Sequence, residues 1–402
     1  MLSLAKNVGR RSHAKSRDER PLYAGPYRLC LELASGGMAT VYLAYNGAAA
    51  RFAAVKLVHP HLASDPGFAE MFADEAEIAS RIRHPNVCGV YDFEVSEGQS
   101  YLAMEYLLGE PIAALWRKLS RTRGLDPRRN AQLAAKALAD ACEGLHAAHE
   151  LTDADGEPLE IVHRDVSPGN IVVTFDGVTK MVDFGVAGAA RKRHRTETGM
   201  LKGKLAYIAP ESMRGRKADR RCDVWGIGVV AWELVTGRRL FRASSEVDTL
   251  RAVMDKPIPR PSEVRSELPE EIDDVIMRAL ERDPRRRYPS ARELGRDLAR
   301  IATSCDVITA SDLGEWLEGL FPGAKERRLQ LLDIAGQIAR GEPEQEEEVE
   351  REPTPSTVHG ISAPTVRTPG EQEMTRVYDR TEPAVASAPH RTRAHEIGRA
   401  HV

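Results

Sequence analysis

The feature that most constrains this chain is the segment 163–185, where charged residues lie at fixed spacing between short apolar runs. It starts with His163-Arg164-Asp165, continues to Asn170, and ends with Asp183-Phe184-Gly185, whose Asp comes thirteen residues after the Asn. Carboxylate and amide oxygens are the ligands that hard divalent cations such as Mg²⁺ prefer. Asn170 and Asp183 therefore predict a Mg²⁺ site. Asp165 is a candidate general base that would orient a hydroxyl group and receive its proton.

The composition indicates what surrounds this segment. The chain has 402 residues, of which 42% are hydrophobic, enough for one large core or two lobes. No apolar run reaches the ~18 residues that a membrane span requires. Because the N-terminus also lacks an apolar signal core, we expect a cytoplasmic protein. A net charge of −3 gives no reason to expect nucleic-acid binding, and five cysteines without a CxxC pair favour reduced thiols over a zinc site.

Changes in composition divide the chain into four parts. Residues 1–26 are polar and basic and are expected to be disordered. Residues 27–302 alternate apolar segments with Gly and Pro, and are rich in strands at first and in helices afterwards. Residues 303–340 predict two short helices, which either pack on the larger domain or bind a partner. Residues 341–402 contain a Glu run and a Pro/Thr/Ser-rich tail that buries too little apolar area to fold. Within residues 303–340, the apolar face predicted for the second helix consists of Leu329, Leu331, Leu332 and Ile334.

Residues Leu33–Val41 form a run of mostly small residues between two strand-like segments. The run resembles the glycine-rich loop G-x-G-x-x-G-x-V that covers the phosphates of ATP, with Ala at the first and third Gly positions. Small residues let the backbone approach the phosphates closely, although an ordinary hairpin would also tolerate this sequence. The predicted ATP-binding residues of this loop are Leu33, Ala34, Ser35, Gly36, Gly37, Met38, Ala39, Thr40 and Val41.

The next predicted strand, residues 52–56, ends in Lys56. It resembles the V-A-I-K strand, whose Lys holds the α- and β-phosphates of ATP, and Ala54 would pack on the adenine together with Val41. Glu75 follows Lys56 by nineteen residues in a helical segment and is predicted to form an ion pair with it. Glu77 is the alternative partner, but it would project from the helix about 200° away.

Residues 101–107 read Tyr-Leu-Ala-Met-Glu-Tyr-Leu and resemble a hinge strand whose backbone N–H and C=O groups bind the adenine edge. The predicted contacts are Met104, Glu105 and Leu107, with Met104 as the gatekeeper. Glu110 follows soon after. It would contact the ribose or a basic side chain of a substrate, or it would simply face solvent.

Later motifs supply structural residues. Residues 209–211 read Ala-Pro-Glu and resemble the end of a substrate-docking segment. Asp223 resembles a residue that holds the backbone of the catalytic loop, and Arg287 is the predicted buried partner of Glu211. Arg164 is placed to pair with a phosphate on the segment between Asp183 and Glu211.

Residues 27–302 carry these motifs in the order found in the bacterial Hanks-type Ser/Thr protein kinases, and by that resemblance the chain is identified as a member of the family. The resemblance implies an α+β, two-lobed protein-kinase fold. The N-lobe would be small, antiparallel and β-rich and the C-lobe larger and α-helical, followed by a short helical extension and a disordered tail. ATP and Mg²⁺ are the implied cofactors. Ser and Thr hydroxyls of protein substrates are the implied acceptors, in bacterial signalling with autophosphorylation.

Two positions depart from the family pattern. Ser167 stands where Ser/Thr kinases usually carry a Lys, and Lys204 stands where they usually carry a Thr. In the family those two residues meet beside the catalytic Asp, and the Lys reaches the γ-phosphate. Because the transferring phosphoryl group needs a nearby cation, we interpret Lys204 as the cation that position 167 lacks. The alternative is that Ser167 marks weakened catalysis and Lys204 is an ordinary surface Lys.

Regulation is also predicted from the resemblance. Thr196 and Thr198 precede Gly203 by seven and five residues, a placement similar to that of paired autophosphorylation threonines in bacterial kinases. We expect Thr198 to be the main switch and Thr196 a secondary one, and a solvated loop without a switch is the alternative. The threonines of the tail would recruit a phosphopeptide-binding partner if phosphorylated; otherwise the tail is an inert linker.

Three other functions stay open at this level. Ala34, Ala39 and Ser167 are compatible with a pseudokinase-like scaffold that binds ATP without turnover. A kinase-fold enzyme acting on a small molecule is a second alternative, although such relatives lack the Ala-Pro-Glu segment. Tyrosine specificity is a third. The catalytic loop lacks the Ala-Ala-Arg arrangement of tyrosine kinases, but it has also lost both Ser/Thr markers.

Overall fold

The architecture was obtained as a computed structural model. The structure describes residues 22–96, 99–122, 124–184, 204–215, 219–304 and 306–341. Within these residues an antiparallel sheet comes first in the chain and a mainly helical part follows. This is the two-lobed protein-kinase fold that the sequence motifs imply, so the predicted fold class is confirmed.

The N-lobe is built on one antiparallel sheet with the strand order β1-β2-β3-β4-β6-β5. Alternation of buried and less buried residues sets the two faces, as expected for a period of two along a strand. On β4, Ala53 and Val55 are fully buried, so Ala54 and Lys56 project from the opposite face. The strands are β1 (Tyr23–Ala24), β2 (Tyr27–Ser35), β3 (Ala39–Asn46), β4 (Arg51–Val58), β5 (Val90–Ser96) and β6 (Gln99–Met104).

The first strand, β1, lies inside the segment 1–26 that the sequence analysis assigns to disorder. Tyr23 and Ala24 pair with Arg28 and Tyr27 of β2 around a turn at Gly25, whose φ is +52°. Ala24 is fully buried in the N-lobe core. The predicted boundary therefore comes too late, because a two-residue strand closed by a glycine turn gives almost no periodic signal.

The N-lobe also contains the helices α1 (Pro60–Ala63) and α2 (Pro66–Arg81). Helix α2 begins after Asp65, whose side chain accepts a hydrogen bond from the Phe68 amide at 2.9 Å. Phe68, Phe72 and Ala76 recur every four residues and pack in one cluster with Met104 of β6. This packing holds α2 against the sheet.

The C-lobe is helical, and its centre is the long pair of helices α4 (Pro127–His149) and α6 (Arg221–Thr236). Apart from Arg221, every residue of α6 is buried, and Trp225 stacks on Phe241 with the ring centroids 5.9 Å apart. A small sheet with the order β7-β8-β9 lies at the edge of the cleft. Its strands are β7 (Gly109–Pro111), β8 (Ile171–Thr174) and β9 (Thr179–Met181), and the helices of this lobe are α3 (Ile112–Leu119), α4 (Pro127–His149), α5 (Pro210–Met213), α6 (Arg221–Thr236), α7 (Glu246–Asp255), α8 (Pro261–Val264), α9 (Glu271–Ala279) and α10 (Ala291–Ala302), with 3₁₀ turns at Leu205–Tyr207 and Pro284–Arg286.

Two further helices follow the C-lobe, α11 (Ala310–Leu320) and α12 (Ala324–Arg340). Helix α11 packs on the C-lobe, where Asp312 pairs with Arg129 at 2.5 Å and the Trp316 indole donates to Asn130 at 2.8 Å. Helix α12 contacts strands β2 and β3 of the N-lobe. The two helices therefore pack on the kinase domain, which is one of the two alternatives that the sequence left open.

The apolar face predicted for α12 is only partly correct. Leu329 is one of the exposed large hydrophobic residues, and the buried positions are Ala324, Ala335 and Gly336. Small residues occupy the contact because the helix lies close to the N-lobe sheet. No helix in the described part of the chain is long and apolar enough to cross a membrane.

Candidate active site

The catalytic loop between α4 and β8 is held by the carboxylate of Asp223, which is almost completely buried. Asp223 accepts hydrogen bonds from the backbone amides of His163 at 2.8 Å and Arg164 at 2.9 Å, and from His149 Nε2 at 2.7 Å. Burial would raise the pKa of Asp223, but the hydrogen bonds and charge of its partners outweigh burial and lower the pKa. The backbone of the catalytic loop is therefore hydrogen-bonded to a carboxylate at the start of α6.

The backbone at Arg164 is in the left-handed region, with φ at +61°. A residue with a Cβ is uncommon there, because such a conformation costs about 1–3 kcal/mol and persists only where its surroundings impose it. The bond from the Arg164 amide to Asp223 is one such constraint. The next residue, Asp165, has its carboxylate in contact with Asn170 and Lys204.

His163 links the catalytic loop to the Asp183 segment. Its side chain is fully buried, its Nε2 donates to the carbonyl of Val182 at 3.2 Å, and its ring lies 4.6 Å from that of Phe184. Its Nδ1 accepts from the Asp165 amide at 3.3 Å. Burial lowers the pKa of His163 despite the nearby carboxylates, so the ring is neutral and its proton lies on Nε2.

The structure brings Asp165, Asn170 and Lys204 together. The Asn170 amide nitrogen donates to the Asp165 carbonyl at 2.9 Å and to its carboxylate at 3.0 Å. The Lys204 ammonium lies 2.5 Å from Asp165 Oδ2, although 47% of the Lys204 side chain is exposed. The carboxylate of Asp165 is thus held from two sides. Ser167 is buried in the same loop. Its backbone carbonyl accepts a hydrogen bond from the backbone N–H of Asn170 at 2.9 Å.

The second pair of the cleft is Lys56 and Asp183. Lys56 Nζ on β4 lies 3.3 Å from Asp183 Oδ1, so residues 127 positions apart in the chain meet across the lobes. Asp183 has φ at +56°, a second left-handed residue at the site. The Asn170 amide oxygen and the Asp183 carboxylate are hard ligands on neighbouring elements. With its nitrogen committed to Asp165, Asn170 would offer its oxygen to a cation, and the donor set fits Mg²⁺.

Helix α2 carries both candidate acidic partners of Lys56. Glu77 is 56% exposed and pairs with Arg81 of the same helix at 2.6 Å. Glu75 is half-buried and lies one turn from the buried residues Phe72 and Ala79. The burial pattern therefore favours Glu75 over Glu77 as the partner of Lys56.

The predicted ATP-binding loop is the tight connection between β2 and β3. The Gly36 amide donates to the Ala39 carbonyl at 3.0 Å, which closes the turn. Val41 lies opposite Lys56 in the pairing of β3 with β4, and Ala54 lies opposite Met104 in the pairing of β4 with β6. The candidate adenine contacts and the candidate phosphate-binding Lys are thus on adjacent strands.

The hinge residues follow β6. The Glu105 carboxylate accepts from Lys180 Nζ at 2.9 Å and from the Gly89 amide at 3.3 Å. Its own backbone amide donates to the Gly89 carbonyl at 2.8 Å. The Glu105 carbonyl accepts only a weak bond from the Cys88 thiol at 3.6 Å, so of the two main-chain groups it is the one that would bind a nucleotide base. Leu107 is half-buried and packs against the apolar cluster that contains Phe68, Phe72 and Met104.

Glu211 and Arg287 form a buried, two-pronged ion pair below the site. Arg287 Nη1 and Nη2 lie 2.6 Å and 2.7 Å from the two carboxylate oxygens of Glu211. Arg287 also donates to the backbone carbonyl of Arg221 at 3.0 Å. The pairing predicted from the sequence is present, and it fixes the end of the docking segment to the C-lobe.

Some predicted site residues lie outside the described part of the chain, and some contacts at the site were not predicted from the sequence. Thr196 and Thr198 lie outside the described residues, and the Arg164 side chain is exposed. His149, which binds Asp223, was missed because nothing near it in the chain marks a partner 74 residues away. Arg328 was also missed, although it lies 2.7 Å from Glu110, the residue predicted to contact ribose, substrate or solvent.

Known proteins resemble this chain over the region that holds the site. Residues 27–297 match the family described as protein kinase domain. Tyrosine-protein kinase MasK of Myxococcus xanthus (strain DK1622) is 38% identical over 301 residues, which cover 74% of this chain and 46% of MasK. Serine/threonine-protein kinase PksC of Streptomyces coelicolor is 34% identical over 299 residues, which cover 73% of this chain and 52% of PksC. The chain thus spans about half the length of these relatives.

Among solved structures, the kinase domain of PknI from Mycobacterium tuberculosis is similar, with a TM-score of 0.52 at 26% identity. The match covers 70% of this chain and 98% of that domain. The shared region is the two-lobed body that carries the cleft.

Proposed function

Because this chain belongs to the bacterial Hanks-type protein kinase family, we propose that it transfers the γ-phosphoryl group of ATP to Ser and Thr hydroxyls of protein substrates. The observation that carries the proposal is the meeting of Lys56 with Asp183 at 3.3 Å, next to a loop in which Asn170 binds Asp165 at 3.0 Å. Phosphoryl transfer depends mainly on positioning and on charge stabilisation, and these residue types supply both.

Each residue has a distinct role in this proposal. Lys56 holds the α- and β-phosphates, and Glu75 of α2 fixes the position of Lys56. Asp165 orients the acceptor hydroxyl and receives its proton. Asn170 and Asp183 would hold Mg²⁺, which neutralises charge on the phosphates when bound. The turn at Gly36 lets backbone amides approach the phosphates, since a small residue is needed there.

The proposed role of Lys204 follows from its contact with Asp165. Its ammonium lies 2.5 Å from Asp165 Oδ2, beside the candidate base that would receive the hydroxyl proton. Ser167, at the position of the usual Lys, is buried and uncharged. We propose that Lys204 supplies the cation for the transferring phosphoryl group. Removing one such preorganised charge typically lowers kcat by about 10²–10³-fold.

The activity is tested with purified protein, Mg²⁺ and ATP labelled on the γ-phosphate, using a generic protein substrate and the chain itself as acceptors. Asp165→Asn is the matched inactive control. Incorporation by the wild type and not by the control supports the proposal. Absence of incorporation with bound ATP would instead favour a pseudokinase scaffold, and phosphorylation of small molecules alone would favour a small-molecule phosphotransferase.

Lys204 is tested in the same assay by Lys204→Met, with Lys118→Met as the control at an exposed lysine on α3. We expect a large loss of kcat for the first variant and none for the second. A kcat within twofold of the wild type for Lys204→Met would eliminate the proposed charge relocation.

Tyrosine is the second candidate acceptor, because MasK bears the name of a tyrosine kinase and is 38% identical to this chain. Phosphoamino-acid analysis of the labelled products separates the two specificities. Phosphoserine and phosphothreonine support the main proposal, whereas phosphotyrosine as the dominant product would replace it.

We also propose that Thr198, and secondarily Thr196, is autophosphorylated and pairs with Arg164, whose exposed side chain is available to a phosphate. Mass spectrometry of active protein provides the test. If neither threonine is modified in fully active protein, this regulation is refuted.

A further inference from the structure

Helix α12 contacts both lobes of the kinase. Its first residue, Ala324, is buried in the large cluster that forms the C-lobe core. Its last turns lie on the N-lobe, where Ala335 is fully buried and the Ala339 carbonyl accepts from Arg28 Nη1 at 2.9 Å. A Cβ added at Gly336 would lie 3.6 Å from the ring of Phe52 on β4, which shows how closely the helix approaches the sheet.

Between these ends, Arg328 fixes α12 at the exit of the hinge. Arg328 Nη2 and Nε lie 2.7 Å and 3.3 Å from Glu110 Oε1. Only 15% of the Arg328 side chain and 16% of the Glu110 side chain are exposed. Glu110 lies on β7, which pairs with β8 of the C-lobe. The ion pair therefore anchors the helix to the C-lobe side of the hinge.

Burial alone would lower the pKa of the Arg328 guanidinium. The charge of Glu110 and its hydrogen bond, with a smaller contribution from Tyr106, outweigh burial and raise the pKa, so the Arg328 guanidinium keeps its charge. A partly buried, ionised pair resists separation more than an exposed one, because solvent screens it less. This contact therefore attaches α12 to β7 more firmly than a solvent-exposed ion pair would.

The two attachment points are connected by a stiff element. Arg328 and Ala339 are eleven residues apart, which corresponds to about 16 Å of continuous helix. A rod fixed to β7 at one end and to β2 and β3 at the other resists rotation of one lobe relative to the other. Lys56 and Asp183, which meet across the lobes at 3.3 Å, depend on that same relation.

We propose that α12 is an interlobe brace and that Arg328 is a positioning residue, which acts through Glu110 to hold the cleft in the geometry where Lys56 reaches Asp183. The proposal rests on the proposed phosphoryl transfer for its kinetic consequence only. The brace itself is a property of the fold and has a structural readout of its own.

The kinetic test compares Arg328→Ala with Arg327→Ala, an exposed neighbour on the same helix. We expect Arg328→Ala to raise the KM for ATP by at least about threefold with a smaller change in kcat, in the range usual for mutations that alter coupling between sites. Arg327→Ala should leave both unchanged. Arg328→Lys should restore part of the loss, because it keeps the charge next to Glu110. An increase in kcat for Arg328→Ala would overturn the proposal, since it would mean that α12 restrains turnover.

The structural test is amide hydrogen exchange of the full chain with bound ADP. We expect faster exchange in β2 and β3 for Arg328→Ala, with no change in α6. Ala335→Glu, at the other attachment point, should reproduce this pattern, and the exchange protection of α6 reports that the C-lobe of each variant remains folded. Unchanged exchange in β2 and β3 for both variants would refute the brace. If the wild type transfers no phosphate, the proposed function fails while the exchange data still decide the brace.

Discussion

Removal of the Asp223 carboxylate tests how the catalytic loop is held. In Asp223→Ala three donors lose their acceptor: His149 Nε2 and the amides of His163 and Arg164, which now lie 2.7–2.9 Å from the carboxylate. A buried donor left unpaired costs about 1–3 kcal/mol, and neighbouring groups recover part of that by relaxing. We therefore expect the free energy of unfolding to fall by about 3–5 kcal/mol.

Activity should fall more than stability does. The left-handed backbone at Arg164, with φ at +61°, would relax once its amide loses Asp223. Asp165 follows directly in the chain and would shift with it. Because a misplacement of about 1 Å at a reacting group costs about 10²-fold in rate, we expect kcat to fall by that factor or more.

Urea unfolding followed by circular dichroism measures the first effect, and initial rates at saturating ATP measure the second. Asp223→Asn should be intermediate, because its NH₂ group replaces one accepting oxygen. Asp274→Ala is the matched control, since that carboxylate is 79% exposed and pairs with Arg260 at the surface. We expect the control to change stability by no more than about 0.5 kcal/mol. An Asp223→Ala protein with a loss below about 1 kcal/mol and unchanged kcat would refute this reasoning.

Three further outcomes follow from the contacts described above. Glu211→Ala should lower the free energy of unfolding by about 3–5 kcal/mol, because it leaves the Arg287 charge without its carboxylate partner in the interior. Urea unfolding measures this change, and a loss of less than about 1 kcal/mol would contradict the prediction. Lys56→Met should reduce kcat/KM by about 10²-fold or more while the protein stays folded, as checked by initial rates and thermal unfolding, whereas near-wild-type turnover would remove Lys56 from the mechanism. Because the folded-state pKa of Asp223 is lowered, its stabilisation is complete above about pH 4 and is lost as the pH falls through the lowered pKa. The stability difference between wild type and Asp223→Ala should therefore shrink in acid, and a difference that grows there would reverse the sign of this argument.

The sequence reveals the centre of the site because its residues lie in short motifs. Asp165, Asn170 and Asp183 fall within twenty residues of one another, and the residue types and spacing are enough to nominate them. Lys56 follows from the resemblance of residues 52–56 to the V-A-I-K strand. At these positions the functional residues lie in short sequence motifs, so the sequence alone is enough to identify them.

Contacts made by tertiary packing leave no such trace. His149 reaches Asp223 only because α4 and α6 pack side by side, and Arg328 reaches Glu110 across 218 residues. The same limit explains the face of α12, where hydrophobicity favoured Leu329 but close packing selected Ala335 and Gly336. Periodicity identifies apolar residues, whereas the distance between two elements decides which sizes fit.

The left-handed residues Arg164 and Asp183 have a consequence for protein engineering. Both hold a side chain in a backbone conformation that suits glycine, at +61° and +56° in φ. A screen that rewards heat resistance alone would therefore favour Gly at these positions, since that change relieves about 1–3 kcal/mol of strain. At Asp183 the same change would remove the carboxylate that meets Lys56. Thermostability and turnover are thus set against each other at Asp183, and stabilising substitutions are better sought elsewhere in the chain.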